Sequence, residues 1–304
     1  MTLRVSLGRR GIVGVIVVLL WLGGLGMLAR RELAGPAAER LAEAGRRVVP
    51  GDAYYWLDRA GVRVGFVSSV IDTLPQHVEL RDQVFADLGT EGAREPVELT
   101  STVRLDRALR LERFRISLAT GGQPLFVDGR PEGDSALALT VSTGEQQGAG
   151  QGTEQRIGAR GQVAPLSAVP LFVALQQSPS VGLRVPLALF DPMTMSVRPA
   201  VFRVTAESLF VVSDSAVFAE SAQRWISAHE DTVRAWHVAA EGDAELFDGW
   251  VDAQGRLVAA SYPGGFTLRR GSYGEVASNW RLDRRRAADS LARRGRAPTT
   301  RGSR

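Results

Sequence analysis

Residues 77–86 read His77-Val78-Glu79-Leu80-Arg81-Asp82-Gln83-Val84-Phe85-Ala86. In an extended chain Val78, Leu80, Val84 and Ala86 fall on one side, with His77, Glu79, Arg81 and Gln83 on the other. A period of two belongs to a strand with one face on a core and one in water. Asp82 breaks the pattern, because its carboxylate falls on the apolar side. It is the one acid whose placement by itself predicts a raised pKa. The bland expectation is an arginine partner, or a local turn that returns it to solvent.

The same pattern spreads outward. Val97, Leu99, Val103 and Leu105 continue it, followed by Phe114, Ile116 and Leu118. Upstream, 54–57 and 62–71 flank a turn at Asp58-Arg59-Ala60-Gly61 and predict a hairpin. Downstream, 124–127 and 136–142 predict another, with Asp128-Gly129 as its turn. Residues 144–161, rich in Gly and Gln, read as a flexible loop. Residues 165–177 predict a short buried helix interrupted by Pro170. A strand over 183–190 leads to a turn at Asp191-Pro192. Two short strands, 201–205 and 208–212, precede a predicted short helix over 215–229. Closing strands over 233–240, 245–252, 256–262 and 266–270 complete the body, with Gly255 and Pro263-Gly264-Gly265 in turns.

Long helices do not alternate with these strands, which disfavours a doubly wound parallel sheet. The expected class is mainly β (α+β). The architecture is a curved antiparallel sheet or half-barrel with one or two short helices on its concave side. Phe172 and Leu175 from the first helix and Trp225 from the second are the candidate lining of an apolar pocket between sheet and helix.

Residues 11–29 carry no charge and lie between Arg9-Arg10 and Arg30-Arg31. At about 1.5 Å per residue they span roughly 28 Å, close to a bilayer's hydrocarbon thickness. They predict a transmembrane signal-anchor helix, because the apolar run exceeds the usual ~7–15 residues of a cleaved signal. The expected organisation is a cytoplasmic N-terminus over 1–10, the anchor over 11–29, and a juxtamembrane helix and linker over 30–50. A β-rich extracytoplasmic domain follows over 51–278, then a basic mobile tail over 279–304, with a helical pattern over 282–294. The protein is then a single-pass inner-membrane protein with its C-terminal domain in the periplasm or outside.

The chain of 304 residues has 37 basic side chains, all arginine, no cysteine and a single asparagine, Asn279. Without cysteine there is no disulfide, thiolate metal site or thiol nucleophile. Without lysine there is no Schiff base and no Gly-Lys phosphate loop. The net charge is +4 overall, but it divides as +5 over 1–47, −8 over 48–278 and +7 over 279–304. The body is therefore acidic. A nucleic-acid surface needs arginines clustered on a folded face, and none is expected.

The histidines are His77, His229 and His237. His229-Glu230 opens like a zinc-protease signature, but Val233 stands where the second histidine belongs. No metal, cofactor or catalytic residue is expected. A hydrolase remains a rival reading, and it requires Ser or Asp to converge on one of the three histidines.

Several stretches combine into a resemblance. They are Asp58-x-x-Gly61-x-x-Val64-Gly65, Leu187-x-x-x-Asp191-Pro192-Met193-Thr194 and Trp250-Val251-Asp252-x-x-Gly255-Arg256, then Pro263-x-Gly265-Phe266 and Arg269-Arg270. Together, over 52–278, they resemble the β-rich extracytoplasmic domain that precedes transglutaminase-like modules in bacterial membrane-anchored proteins. In outline they are also similar to half-barrel lipoprotein carriers. The resemblance implies a location and a fold, with a role in binding an envelope protein partner or an apolar ligand. It transfers no catalytic residue, since the chain has no cysteine. The expected function is a membrane-anchored binding or scaffold module without catalysis, with a lipid or apolar-ligand carrier as the alternative.

Overall fold

A computed structural model of the chain describes residues 45–295, apart from 90–94, 134, 145–151, 160, 176–178, 193 and 244–245. The expected anchor over 11–29 and most of the juxtamembrane segment lie outside the described residues. Among those described, no helix is long and apolar enough to cross a membrane.

Among the described residues, fifteen strands form one sheet. The first eight are β1 (Gly51–Arg59), β2 (Val62–Thr73), β3 (His77–Leu88), β4 (Glu95–Asp106), β5 (Leu111–Thr120), β6 (Leu125–Glu132), β7 (Ala136–Thr143) and β8 (Thr153–Gly158). The rest are β9 (Val163–Pro165), β10 (Arg184–Asp191), β11 (Ser196–Ala219), β12 (Arg224–Ala240), β13 (Asp248–Asp252), β14 (Leu257–Tyr262) and β15 (Phe266–Gly271). Each pairs antiparallel with its sequence neighbour along two meanders, β1–β8 and β10–β15. The meanders join where β1 pairs with β15, and β9 adds in parallel to β10.

This order forces the sheet to curl. Strands β8 and β9 occupy its two edges, yet only five residue steps connect Gly158 to Val163, a reach of at most about 18 Å. Laid flat, fifteen strands at ~4.8 Å spacing would be roughly 67 Å wide. The edges must approach without pairing, and Gln162 Nε2 beside β9 donates to the Leu109 carbonyl in the β4–β5 turn at 2.9 Å. The result is mainly β, a large curved and unclosed sheet, as the alternation predicts.

One main core fills the concavity. Helix α1 (Val169–Leu175) is inserted there, with Val169 through Ala174 all buried. Pro170 sits in its first turn, where a missing N–H costs nothing, so the proline starts the helix rather than interrupting it. Gly255, at φ +77°, has the Leu171 backbone so close that a Cβ would stand 2.7 Å from Leu171 Cα.

Three expectations need correction. Asp128-Gly129 is not a turn but lies inside β6. A Cβ on Gly129 would come within 2.2 Å of the Phe114 ring, which stacks at 4.6 Å on Phe190. The glycine makes room for an aromatic on the neighbouring strand.

The second concerns 201–212 and 215–229. Two short strands and a helix are replaced by one long hairpin of β11 and β12, which turns at 220–223. Glu220, Ser221, Ala222 and Gln223 look helical in isolation, but Val217-Phe218 and Trp225-Ile226 flank them with strand-forming residues. Beyond Ser208, where β12 no longer pairs with β13, the hairpin continues as an arm that folds across the sheet's outer face. There Phe210 meets Trp250 at 4.9 Å, and Val212 packs with Ala235 and Val258.

The third is the start of the tail. The helix expected over 282–294 is present, but as helix α2 (Asn279–Gly295) it is docked on the sheet, led in by a π-turn over Gly274–Ser278. Trp280 and Val276 bury against Trp56 and Phe66 on the outer face of β1 and β2, and Arg284 pairs with Asp87 at 3.4 Å. Residues 296–304 lie outside the described residues.

Candidate binding site on the concave face

Asp82 stands in the middle of the concave face. It is directly opposite Ser69 of β2 and Ser101 of β4, so three neighbouring strands present Ser, Asp and Ser in one cross-strand row. Ser167, in the one-turn 3-10 helix before α1, approaches from the interior side, and Tyr55 and Tyr262 feel the carboxylate's charge from β1 and β14.

Burial pushes the Asp82 carboxyl up to about 6, while the Ser69 and Ser167 hydroxyls act the other way by favouring the charged form. The approach of Ser167 falls short of a hydrogen bond. Asp82 Oδ2 and Ser167 Oγ are both shut off from the surface, and neither has a hydrogen-bond partner among the described residues. No arginine is among the groups that act on Asp82.

Asp252 shows what a satisfied buried acid looks like in this fold. Its Oδ1 accepts the backbone N–H groups of Gln254 and Arg256 at 2.9 Å each. Its Oδ2 takes Arg270 Nη2 at 2.8 Å, and Arg270 in turn donates from Nε to the Leu257 carbonyl. Arginine-paired burial, the bland expectation for Asp82, describes Asp252 instead. The same carboxylate and burial also raise the Tyr55 hydroxyl to about 12, burial acting most strongly.

The Ser69–Asp82–Ser101 row divides the concave face. On the side toward α1, Val78, Leu80, Val103, Leu105, Phe114, Leu137 and Leu139 are all at most 3% exposed. On the other side the next cross-strand row runs Val67, Val84, Leu99, Leu118, Leu125. Only Val67 is buried there, and the four others are half-exposed. Large side chains fill one end of the concavity, and aliphatic side chains line the other without being covered. The arrangement is a half-buried aliphatic row beside a buried carboxylate oxygen on the inner face.

The expected pocket residues do not come together. Phe172 is fully buried in the main core and Leu175 packs partly buried against it. Trp225 lies at the tip of the arm, edge-on to Phe218 at 5.7 Å and against Gly274. The extended hairpin, formed where a helix was expected, carries it away. None of the three lines the cleft of about 600 Å³ beneath the arm. That cleft is polar, with Asp52, Asp214, Arg234, Arg256 and Tyr273 in its walls.

The histidines separate as expected, except for one. His229 and His237 share β12, eight residues and thus roughly 26 Å apart. Exposed His229 lies near Asp214 and Asp231 on the arm. His237 joins a hydrogen-bonded line that sequence reading missed. Its Nδ1 meets Thr205 Oγ1 at 2.5 Å and its Nε2 meets Asp248 Oδ1 at 2.9 Å. The three come from adjacent strands, and only the pairing register could have revealed them. Thr205 is exposed, and none of the three lines the cleft.

No family model matches the chain, and no curated protein matches it significantly. Among solved structures, it is similar to a β-barrel-like protein of the domain-of-unknown-function family DUF1849 from Brucella abortus. The identity is 13% and the TM-score 0.46, over 74% of this chain and 95% of that one. It is also similar to a DUF1089 family protein from Pseudomonas aeruginosa, at 12% identity and TM-score 0.34, over 66% of this chain and 90% of that one.

Proposed function

We propose that the chain is a membrane-tethered, extracytoplasmic module without catalytic activity, and that it carries an amphiphile in the cup of its curved sheet. The observation that carries this reading is the break in burial along the concave face. Along it Val84, Leu99, Leu118 and Leu125 are half-buried where the other inner residues are sealed, and partly uncovered apolar surface on the inner side of a curved sheet favours an alkyl chain as its occupant. The uncharged run at 11–29, read as an anchor, supports a position of this face next to a lipid surface.

The hydrolytic rival has the Thr205–His237–Asp248 line in its favour. That line stands on the outer side of the strands, away from both concavities, and offers no enclosed site for an oxyanion. It serves as a clamp between three strands.

Native mass spectrometry of the full chain, released from nanodiscs, tests the carrier reading. An apolar adduct is expected on the wild type and is expected to disappear in Leu99→Asp, which places a charge in the cup. An adduct-free wild type, or an adduct that ignores the substitution, overturns it. A reporter fused to the C-terminus is expected outside the cytoplasm, and a cytoplasmic signal overturns the proposed location.

A further inference from the structure

The geometry points to a cation site on the arm: we infer that Asp214, His229 and Asp231 hold a divalent transition-metal ion such as zinc between strands β11 and β12. The inference is independent of what the concave face carries.

The three side chains come from both strands of the hairpin. Val212 stands opposite Asp231, and Ser215 opposite His229. The register shifts between Ser213 and Ser215, so Asp214 has no opposite residue, and it shifts again between Ser215 and Ala216. A bulge re-aims a side chain, and here it sets the Asp214 carboxylate beside its two neighbours on β12. Two carboxylate oxygens and one imidazole nitrogen then lie within 4.8 Å of one another. Zinc holds such donors at about 2.0–2.2 Å, a spacing that exposed side chains reach by small rotations.

The surroundings separate this set from an ordinary acidic patch. The charged partner of Asp214 is His229 at 3.8 Å, beyond hydrogen-bond reach. Among the described residues no arginine pairs with Asp214 or Asp231, although arginines serve other acids close by. Arg234 takes Glu207 on the same two strands, and Arg270 takes Asp252 in the same cleft. Two carboxylates therefore meet one imidazole with no guanidinium between them. All three are exposed, and Asp214 and Asp231 stand in the wall of the cleft of about 600 Å³ beneath the arm. The cleft gives an ion its way in.

The donor set selects the ion. Oxygen donors alone suit calcium or magnesium, and the imidazole moves the preference to zinc and its neighbours. Without cysteine the chain has no thiolate to compete, and His237 is engaged between Thr205 and Asp248. Held across β11 and β12, the ion joins the strands where two bulges interrupt their ladder.

The test titrates zinc chloride into the untagged full chain in phosphatidylcholine nanodiscs by isothermal calorimetry, with empty nanodiscs as the blank. One saturable site is expected on the wild type. His229→Ala and Asp231→Asn are each expected to weaken it at least about tenfold, since even groups behind the ligands are worth that much. Both positions are exposed, and circular dichroism confirms that the variants keep the fold. In hydrogen exchange, zinc is expected to slow the amides of 213–230 in the wild type but not in His229→Ala, and to leave β3 and β4 unchanged. Absence of saturable zinc binding, an affinity unchanged in either variant, or calcium chloride binding as tightly as zinc overturns the assignment. The last result would mean an acidic surface only.

Discussion

Asn279 holds Trp225 by both of its backbone groups: the Asn279 side chain donates from Nδ2 to the Trp225 carbonyl, and its Oδ1 accepts the Trp225 N–H, each at 2.8 Å. The amide imitates a neighbouring strand on the edge of β12 that β11 does not occupy, and at 3% exposure it does so out of water. The only asparagine in the chain thereby ties the tip of the arm to the start of α2. An aspartate could accept but not donate, and a serine could not reach both groups.

Asn279→Ala is expected to destabilise the protein by about 3 kcal/mol, since it strands a buried donor and a buried acceptor. Urea unfolding measures the loss. Amide hydrogen exchange at Trp225 is expected to accelerate more than exchange in β3 and β4, because the tip loosens first.

Gly129→Ala is expected to cost several kcal/mol, because the new methyl enters the Phe114 ring at 2.2 Å in a core without slack. Combining it with Phe114→Leu is expected to recover part of the loss. A double-mutant cycle by thermal unfolding checks this, with a coupling energy outside the additive range as the signature.

Trp280→Ala removes the anchor of α2 from Trp56 and Phe66, and about 3–5 kcal/mol is expected from the lost burial. Limited proteolysis is expected to cut within 281–295 far sooner than in the wild type, with the strand body resisting. Uniform degradation would mean that α2 is integral to the sheet's stability rather than docked upon it.

Much of this was legible in the sequence. A period of two identified β3 and its neighbours, and it singled out Asp82 as misplaced on an apolar face. The turns at Ala60-Gly61 and Pro263–Gly265 were likewise readable from local chemistry. The arm was not, because Glu220 to Gln223 favour helix locally and only packing of Phe210 and Val212 on the outer face decides for strands. The docking of α2 was hidden by its eight arginines and aspartates, which look like a solvated tail, while Asn279 and Trp280 make the buried part of the attachment. The cup was half-visible. Alternation placed Leu99 and Leu118 on the inner face, but which of the inner residues α1 covers depends on a contact more than fifty residues away. That Asp82 lacks an arginine partner follows from pairing register, which no local pattern encodes.

Asp82 also sets a dependence of stability on pH. Burial raises its pKa from the ordinary 3.8 to about 6, so between these values the folded state binds a proton that the unfolded state has released. Stability from this group is fully present below pH 4 and falls as pH rises through 6, by about 3 kcal/mol for a shift of about two units. Asp82→Asn is therefore expected to be more stable than the wild type at pH 7, with the gap closing toward pH 4. Urea unfolding of both proteins at a series of pH values reads the difference.

The most direct measurement is a carbon-13 titration of the Asp82 carboxyl in the full chain in nanodiscs, assigned with Asp82→Asn and repeated in the presence of dodecanol. A midpoint near 6 is expected with and without the alcohol, because burial on the apolar inner face disfavours the charged form and the carboxylate is closed to solvent. A midpoint at the ordinary value of an aspartate would contradict a buried carboxylate on that face.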